Sequence, residues 1–125
     1  MYELTVKDTF ASAHNLRDYK GKCEHVHGHN YLIEASFESE TLAQNGLAVD
    51  FNILKASLKA ITDELDHKYL NEDVEFFRTN NTSAENIAKY IYDALKKSVT
   101  QARVSKVCVW ESEKAKACYY EKQGE

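Results

Sequence analysis

Seven residues, Cys23-Glu24-His25-Val26-His27-Gly28-His29, gather three of the chain's five histidines and one of its three cysteines. His27 and His29 stand two apart. In a helix that spacing turns the imidazoles about 200° away from each other, whereas in a strand it puts both on one face with Cα atoms about 7 Å apart. Two imidazoles can then converge on one ion. Upstream, His14 closes a stretch with apolar alternation and can supply a third nitrogen. Three neutral imidazoles with an open fourth position form the donor set of a catalytic zinc site rather than a closed structural one. The competing reading is a chance His-x-His pair on the surface. His25 has the parity of the pair but precedes Gly28, so it is expected in the loop, supporting a ligand or facing solvent. It is the rival to His14 for the third place. Gly28, with no side chain, permits close packing or an unusual backbone at the mouth of the site.

Other residues carry chemistry of their own. Cys23 has Lys20, Lys22 and the histidines nearby in sequence. Positive charge and a metal both lower a thiol pKa, so Cys23 can be a fourth ligand, a nucleophile or a general base, and the pattern does not choose. Asp66-His67 closes a helical pattern, and a carboxylate there can hold the imidazole in one tautomer for proton transfer. Asp63, four residues before His67, can do the same through an i,i+4 contact. The plainer reading is a helix C-terminus that favours a cationic histidine. Glu111, at the end of a strand pattern, can accept two N–H donors from a flat amidine-like heterocycle or simply face solvent. Cys108 and Cys118 sit inside strand patterns and read as sheet residues. With an odd number of cysteines, far apart and outside CxxC pairs, a disulfide scaffold is not expected and three free thiols fit a reducing compartment.

The elements that must position these groups follow from periodicity. Residues 2–14 alternate as a strand (Tyr2, Leu4, Val6, Phe10, His14), with Asp8 and Ser12 interrupting the apolar face and allowing a bulge. Residues 15–28 read as a loop and 29–38 as a second strand, with Tyr31, Ile33, Ala35 and Phe37 on one side. Leu54, Leu58, Ile61 and Leu65 form one helical stripe with Asp50 as N-cap. "VEFFRTNN" reads as connection. Thr82-Ser83-Ala84-Glu85 fits a capping box that opens a second helix bearing Ile87, Ala88, Ile91 and Leu95. Residues 104–111 and 115–122 complete the pattern as two strands. The expected fold is α+β: a four-stranded antiparallel sheet with two helices on one face, in the order β-β-α-α-β-β, forming one domain over residues 1–125. The second face and the open edges, in a chain with eight tyrosines, fit self-association.

Composition narrows the class. A chain of 125 residues, 43% apolar, can build one core. A formal charge of -4 with both signs interspersed offers no basic face for nucleic acid. No apolar run is long enough to span a bilayer, and the N-terminus lacks the layout of a secretory signal, so a cytoplasmic location is expected.

Six segments in order resemble the 6-pyruvoyltetrahydropterin synthase family: "FASAHNL" around His14, "CEHVHGHNY" at 23–31, "LAVDFNILK" at 47–55, "LDHKYLN" at 65–71, "TSAENIAKYI" at 82–91 and "VWES" at 109–112. Together they cover almost the whole chain, and they look closest to its 6-carboxytetrahydropterin synthase branch of queuosine biosynthesis. The resemblance implies zinc on His14, His27 and His29, proton transfer by Cys23 with the Asp66–His67 pair, and pterin binding by Glu111 and the Ser83 region. It thereby favours His14 over His25 and removes Cys23 from the ligand set. The implied substrate is 7,8-dihydroneopterin triphosphate, and the implied products are 6-carboxy-5,6,7,8-tetrahydropterin, acetaldehyde and triphosphate. Branches with a pyruvoyl product typically carry the cysteine six residues before the first histidine of HGH; here the separation is four. The family commonly has a proline before the threonine or serine of "NNTSAEN", and this chain has none. Arg17, Lys20, Lys22 and Arg78 are candidates for the triphosphate. The family's tunnelling fold implies sheets that close into a barrel and a homohexamer built as two trimers, with no nucleic acid or membrane partner.

Overall fold

The computed structural model describes residues 1–122. Strands β1 (Tyr2–His14), β2 (His27–Ser39), β3 (Arg103–Ser112) and β4 (Ala115–Tyr119) form one antiparallel sheet in that order. Helices α1 (Phe51–Leu65) and α4 (Ala84–Ser98) cover one face, α1 over β1 and α4 over β3 and β4, with short helices α2 (Leu70–Asp73) and α3 (Glu75–Thr79) between them. The α+β arrangement read from the sequence is the one observed.

The core lies between this sheet face and the helices. Tyr31, Ile33, Ala35 and Phe37 of β2 are fully buried against Leu54, Leu58 and Leu65 of α1 and Ile87, Ile91 and Leu95 of α4. Burying each of the leucines and isoleucines is worth about 1.5–3 kcal/mol, which ties both helices to the sheet. Asp50 caps α1 by accepting the Asn52 N–H at 2.8 Å.

Several expectations need correcting, each for a physical reason. The β1–β2 register runs unbroken from Tyr2↔Ser39 to His14↔His27, so Asp8 and Ser12 produce no bulge. Helix α1 satisfies them instead: Thr62 donates to Asp8 Oδ2 at 2.6 Å, and Ser12 donates to the Leu65 carbonyl. Register shifts fall instead between β2 and β3, at Ser36/Phe37, and between β3 and β4, at Trp110/Ser112. β2 begins two residues earlier than expected, which brings His27 inside the strand. "VEFFRTNN" is largely helical, because α3 inserts Phe77 into the core. The cap of α4 is Ser83, accepting the Asn86 N–H, while Thr82 is fully buried and donates to the Asn15 carbonyl. β4 stops at Tyr119, and Glu121 turns to Lys96 of α4 at 3.0 Å.

The cysteines also differ from expectation. Cys108 and Cys118 are joined as a disulfide across β3 and β4, leaving Cys23 as the free thiol among the described residues. The reason is register: the hairpin sets the two directly opposite, with Cα atoms 3.9 Å apart. Sequence spacing alone does not reveal that opposition. No helix among the described residues is long and apolar enough to cross a membrane.

Candidate metal centre

The β1–β2 register sets His14 opposite His27, and strand alternation turns His29 to the same face. The three rings meet at one end of the sheet with centroids 4.7 Å (His14–His27), 5.1 Å (His14–His29) and 4.7 Å (His27–His29) apart. Glu111, two residues past the buried Val109 on β3, brings Oε1 to 3.2 Å from His29 Nε2. One donor atom from each of His14, His27, His29 and Glu111 lies within 4.8 Å of all the others.

Protonation is set by what holds the rings from behind. His14 Nδ1 lies 2.8 Å from the Thr82 carbonyl, and His27 Nδ1 lies 2.6 Å from the His25 carbonyl. A carbonyl only accepts, so both Nδ1 atoms carry the proton and both Nε2 atoms present a lone pair. Burial pushes the pKa of His14 and His29 below 6.5, against the Thr82 carbonyl at His14 and the Glu111 charge at both. The His14 and His29 rings are therefore neutral near pH 7, the form that binds metal. His14 Nε2 and His29 Nε2 are buried without a hydrogen bond among the described residues; Glu111 is close to His29 but off hydrogen-bond geometry. Such orphans cost about 1–3 kcal/mol each, which a metal ion would offset. Imidazole nitrogens plus a carboxylate suit zinc or a neighbouring first-row dication. The residues fit the ion.

The remaining predicted residues surround this cluster. Cys23 sits half-buried in a single 3-10 turn, Lys22–Glu24, its carbonyl accepting the Leu16 N–H at 2.7 Å. The loop bends at Gly21, where φ is 148° and an added Cβ would sit 3.1 Å from the Tyr19 ring. Gly28, by contrast, is ordinary strand, and a Cβ there would meet only the Ser12 carbonyl at 3.8 Å. His25 points to solvent, 79% exposed, and serves the site through its carbonyl.

Asp66 and His67 form the expected pair, Oδ2 to Nδ1 at 2.8 Å, while Asp63 pairs with Lys59 instead. Asp66 Oδ1 accepts the Ala11 N–H at 2.9 Å, and this bond, then His67, holds the Asp66 carboxyl below its usual range. His67 is 84% exposed, with a left-handed backbone (φ 56°) pinned by its N–H to the Ala11 carbonyl at 2.6 Å. The pair stands outside the four-donor cluster, and His67 lines a cleft of about 490 Å³ with His29, Lys68 and Tyr69. A second cleft, of about 320 Å³, lies between α4 and the β3–β4 hairpin and is lined by His29, Glu111, Glu85 and Lys116. Ser83 uses its hydroxyl to cap α4, whose first residues Ala84 and Glu85 line this cleft.

Sequence reasoning missed two carboxylate placements. Glu111 belongs to the donor cluster, which becomes visible only once β3 is known to lie beside β2. Glu85 faces the same cleft from the first turn of α4, and its position two residues after Ser83 is the signal that was available. Among the phosphate candidates, the Arg17 guanidinium is occupied by the Phe77 and Asn80 carbonyls, at 2.5 and 2.9 Å. Arg78 donates to the Glu72 carbonyl at 2.8 Å, whereas Lys20 and Lys22 stay exposed.

A helix-backed sheet with three converging histidines and a carboxylate at its end defines the class, an α+β fold with a four-donor cluster able to hold a metal ion. Residues 3–122 match the model of the family described as 6-pyruvoyl tetrahydropterin synthase, and the chain belongs to that family. It is 35% identical over 103 residues to the 6-pyruvoyl tetrahydrobiopterin synthase of Dictyostelium discoideum, covering 74% of this chain and 76% of that protein. It is 32% identical over 128 residues to the 6-carboxy-5,6,7,8-tetrahydropterin synthase of Aquifex aeolicus, covering 80% and 76%. The solved 6-pyruvoyl tetrahydropterin synthase of Caenorhabditis elegans superposes with a TM-score of 0.89 at 30% identity, covering 97% of this chain and 96% of that one.

Proposed function

We propose that this chain binds zinc through His14, His27 and His29, with Glu111 alongside, and acts on the side chain of 7,8-dihydroneopterin triphosphate. The observation that carries the reading is the cluster of three imidazoles and a carboxylate within 4.8 Å, in a member of a pterin synthase family. Bound there, zinc would act as a Lewis acid on the side-chain oxygens. Cys23, as thiolate, would remove a proton beside a hydroxyl-bearing carbon, and His67, oriented by Asp66, would relay protons from the exposed side. Glu111 and the Ser83 end of α4 would hold the pterin ring in the cleft between them.

Two products compete. The four-residue separation of Cys23 from His27 supports 6-carboxy-5,6,7,8-tetrahydropterin with acetaldehyde and triphosphate, the lyase reaction of the queuosine (7-deazaguanine) pathway. The family model and the whole-chain likeness to the C. elegans structure support a 6-pyruvoyl product, and these comparisons weigh more than one spacing. The deciding assay is product analysis of zinc-loaded enzyme with dihydroneopterin triphosphate. Acetaldehyde in step with triphosphate supports the carboxy reading; triphosphate with the three-carbon side chain retained supports the pyruvoyl reading. No triphosphate release from zinc-loaded, folded protein contradicts both.

Assembly into two stacked trimers belongs to the same reading. The sheet ends in the edge strands β1 and β4, and His67 is exposed. Three such sheets can close into a barrel, with each active site shared between chains.

A further inference from the structure

Tyr31 follows His27 and His29 on the same face of β2 and has no role in the chemistry above. Its ring is fully buried, stacked on Phe10 with centroids 4.9 Å apart and planes 24° apart. The same ring touches two of the metal-facing histidines, with centroids 5.8 Å from His14 and 5.5 Å from His29. Packing on three sides fixes the ring, and a fixed ring fixes the direction of its hydroxyl. That hydroxyl is buried and has no hydrogen-bond partner among the described residues, like the Nε2 atoms of the two histidines it neighbours. Phenylalanine would fill the same space without an orphan, so packing alone does not account for a tyrosine.

Its surroundings state what the hydroxyl can do. The cluster that the ring borders consists of acceptors: imidazole lone pairs and the Glu111 carboxylate. A tyrosine phenol carries its proton at neutral pH and so acts as a neutral donor. A ligand atom that meets a metal on one side and this O–H on the other must itself be an acceptor, which means an oxygen.

We propose that the Tyr31 hydroxyl donates a hydrogen bond to a side-chain oxygen of the ligand held at the histidine cluster, and so selects pterins with a hydroxylated side chain over those without one. The inference rests on the pterin reading. The test compares neopterin, which carries the hydroxylated chain, with unsubstituted pterin, binding to zinc-loaded wild type and Tyr31→Phe. Wild type should bind neopterin more tightly. In Tyr31→Phe the neopterin Kd should rise about five- to tenfold, while the pterin Kd stays within about twofold. Zinc content should be unchanged, and Tm unchanged or higher, because the variant removes only an unpaired buried hydroxyl. A neopterin Kd that does not move, or an equal loss for both ligands, overturns the inference. So does a clear drop in Tm, which would mean that the hydroxyl is bonded within the protein. Wild type that binds neither ligand overturns the pterin reading and this inference with it.

Discussion

The histidine cluster and the Asp66–His67 pair are both built from titratable side chains, and the fold treats them in opposite ways. His14, His27 and His29 stand on two paired strands; His14 is fully buried, and carbonyls hold two of the three rings from behind. Asp66 and His67 stand just past a helix end, with the imidazole 84% exposed on a left-handed residue. A metal site needs fixed donors and neutral rings, and strands with burial provide both. A proton relay needs orientation together with access, and a carboxylate beside an exposed imidazole provides that. The left-handed residue costs about 1 kcal/mol or more and persists because Ala11 bonds both members of the pair.

The contrast is broken most severely at the free thiol of the loop that precedes β2. Cys23→Ala should keep zinc and lose turnover by about 10²–10⁴-fold, the range for a lost general base. Loss of zinc along with turnover would make Cys23 a ligand; near-normal turnover with zinc in place would remove it from the chemistry. At the outer pair, Asp66→Asn still accepts from Ala11 but no longer offers a carboxylate to the His67 ring. Turnover should fall about 10–100-fold, with zinc content and Tm nearly unchanged. A fall in zinc content would mean that the two regions are not separate.

A smaller effect should appear in the metal-free chain. Burial holds the folded-state pKa of His14 and His29 below 6.5. As pH falls, the unfolded chain therefore binds these protons first, and the folded state loses stability from about pH 6.5 down through the folded-state values. Scanned between about pH 7.5 and 5, Tm should decline, and His14→Asn should decline less steeply. An equal slope in the variant would place the acid sensitivity elsewhere.

Much of the cluster was legible because strand arithmetic is local. The period of two carries His27 and His29 to one face, and a strand ending at His14 brings the third ring beside them. The stripe of Leu54, Leu58, Ile61 and Leu65 likewise gave α1 with its cap at Asp50. What escaped depends on contacts between distant segments. Glu111 meets His29 only because β3 lies beside β2, and the Cys108–Cys118 bridge depends on the register of a hairpin. Asp8 and Ser12 read as interruptions of β1 because their partners, Thr62 and Leu65, lie more than fifty residues away. The short helices escaped because their signal is one core side chain, Phe77, rather than a repeating stripe.

The central claim is that three particular imidazoles define one metal site, with His25 outside it. Zinc per chain, measured by elemental analysis on purified wild type, His14→Ala and His25→Ala, tests it directly. The account predicts about one zinc per chain in wild type and in His25→Ala, and a loss of about 100-fold or more in affinity in His14→Ala. Zinc retained by His14→Ala and lost from His25→Ala would contradict it.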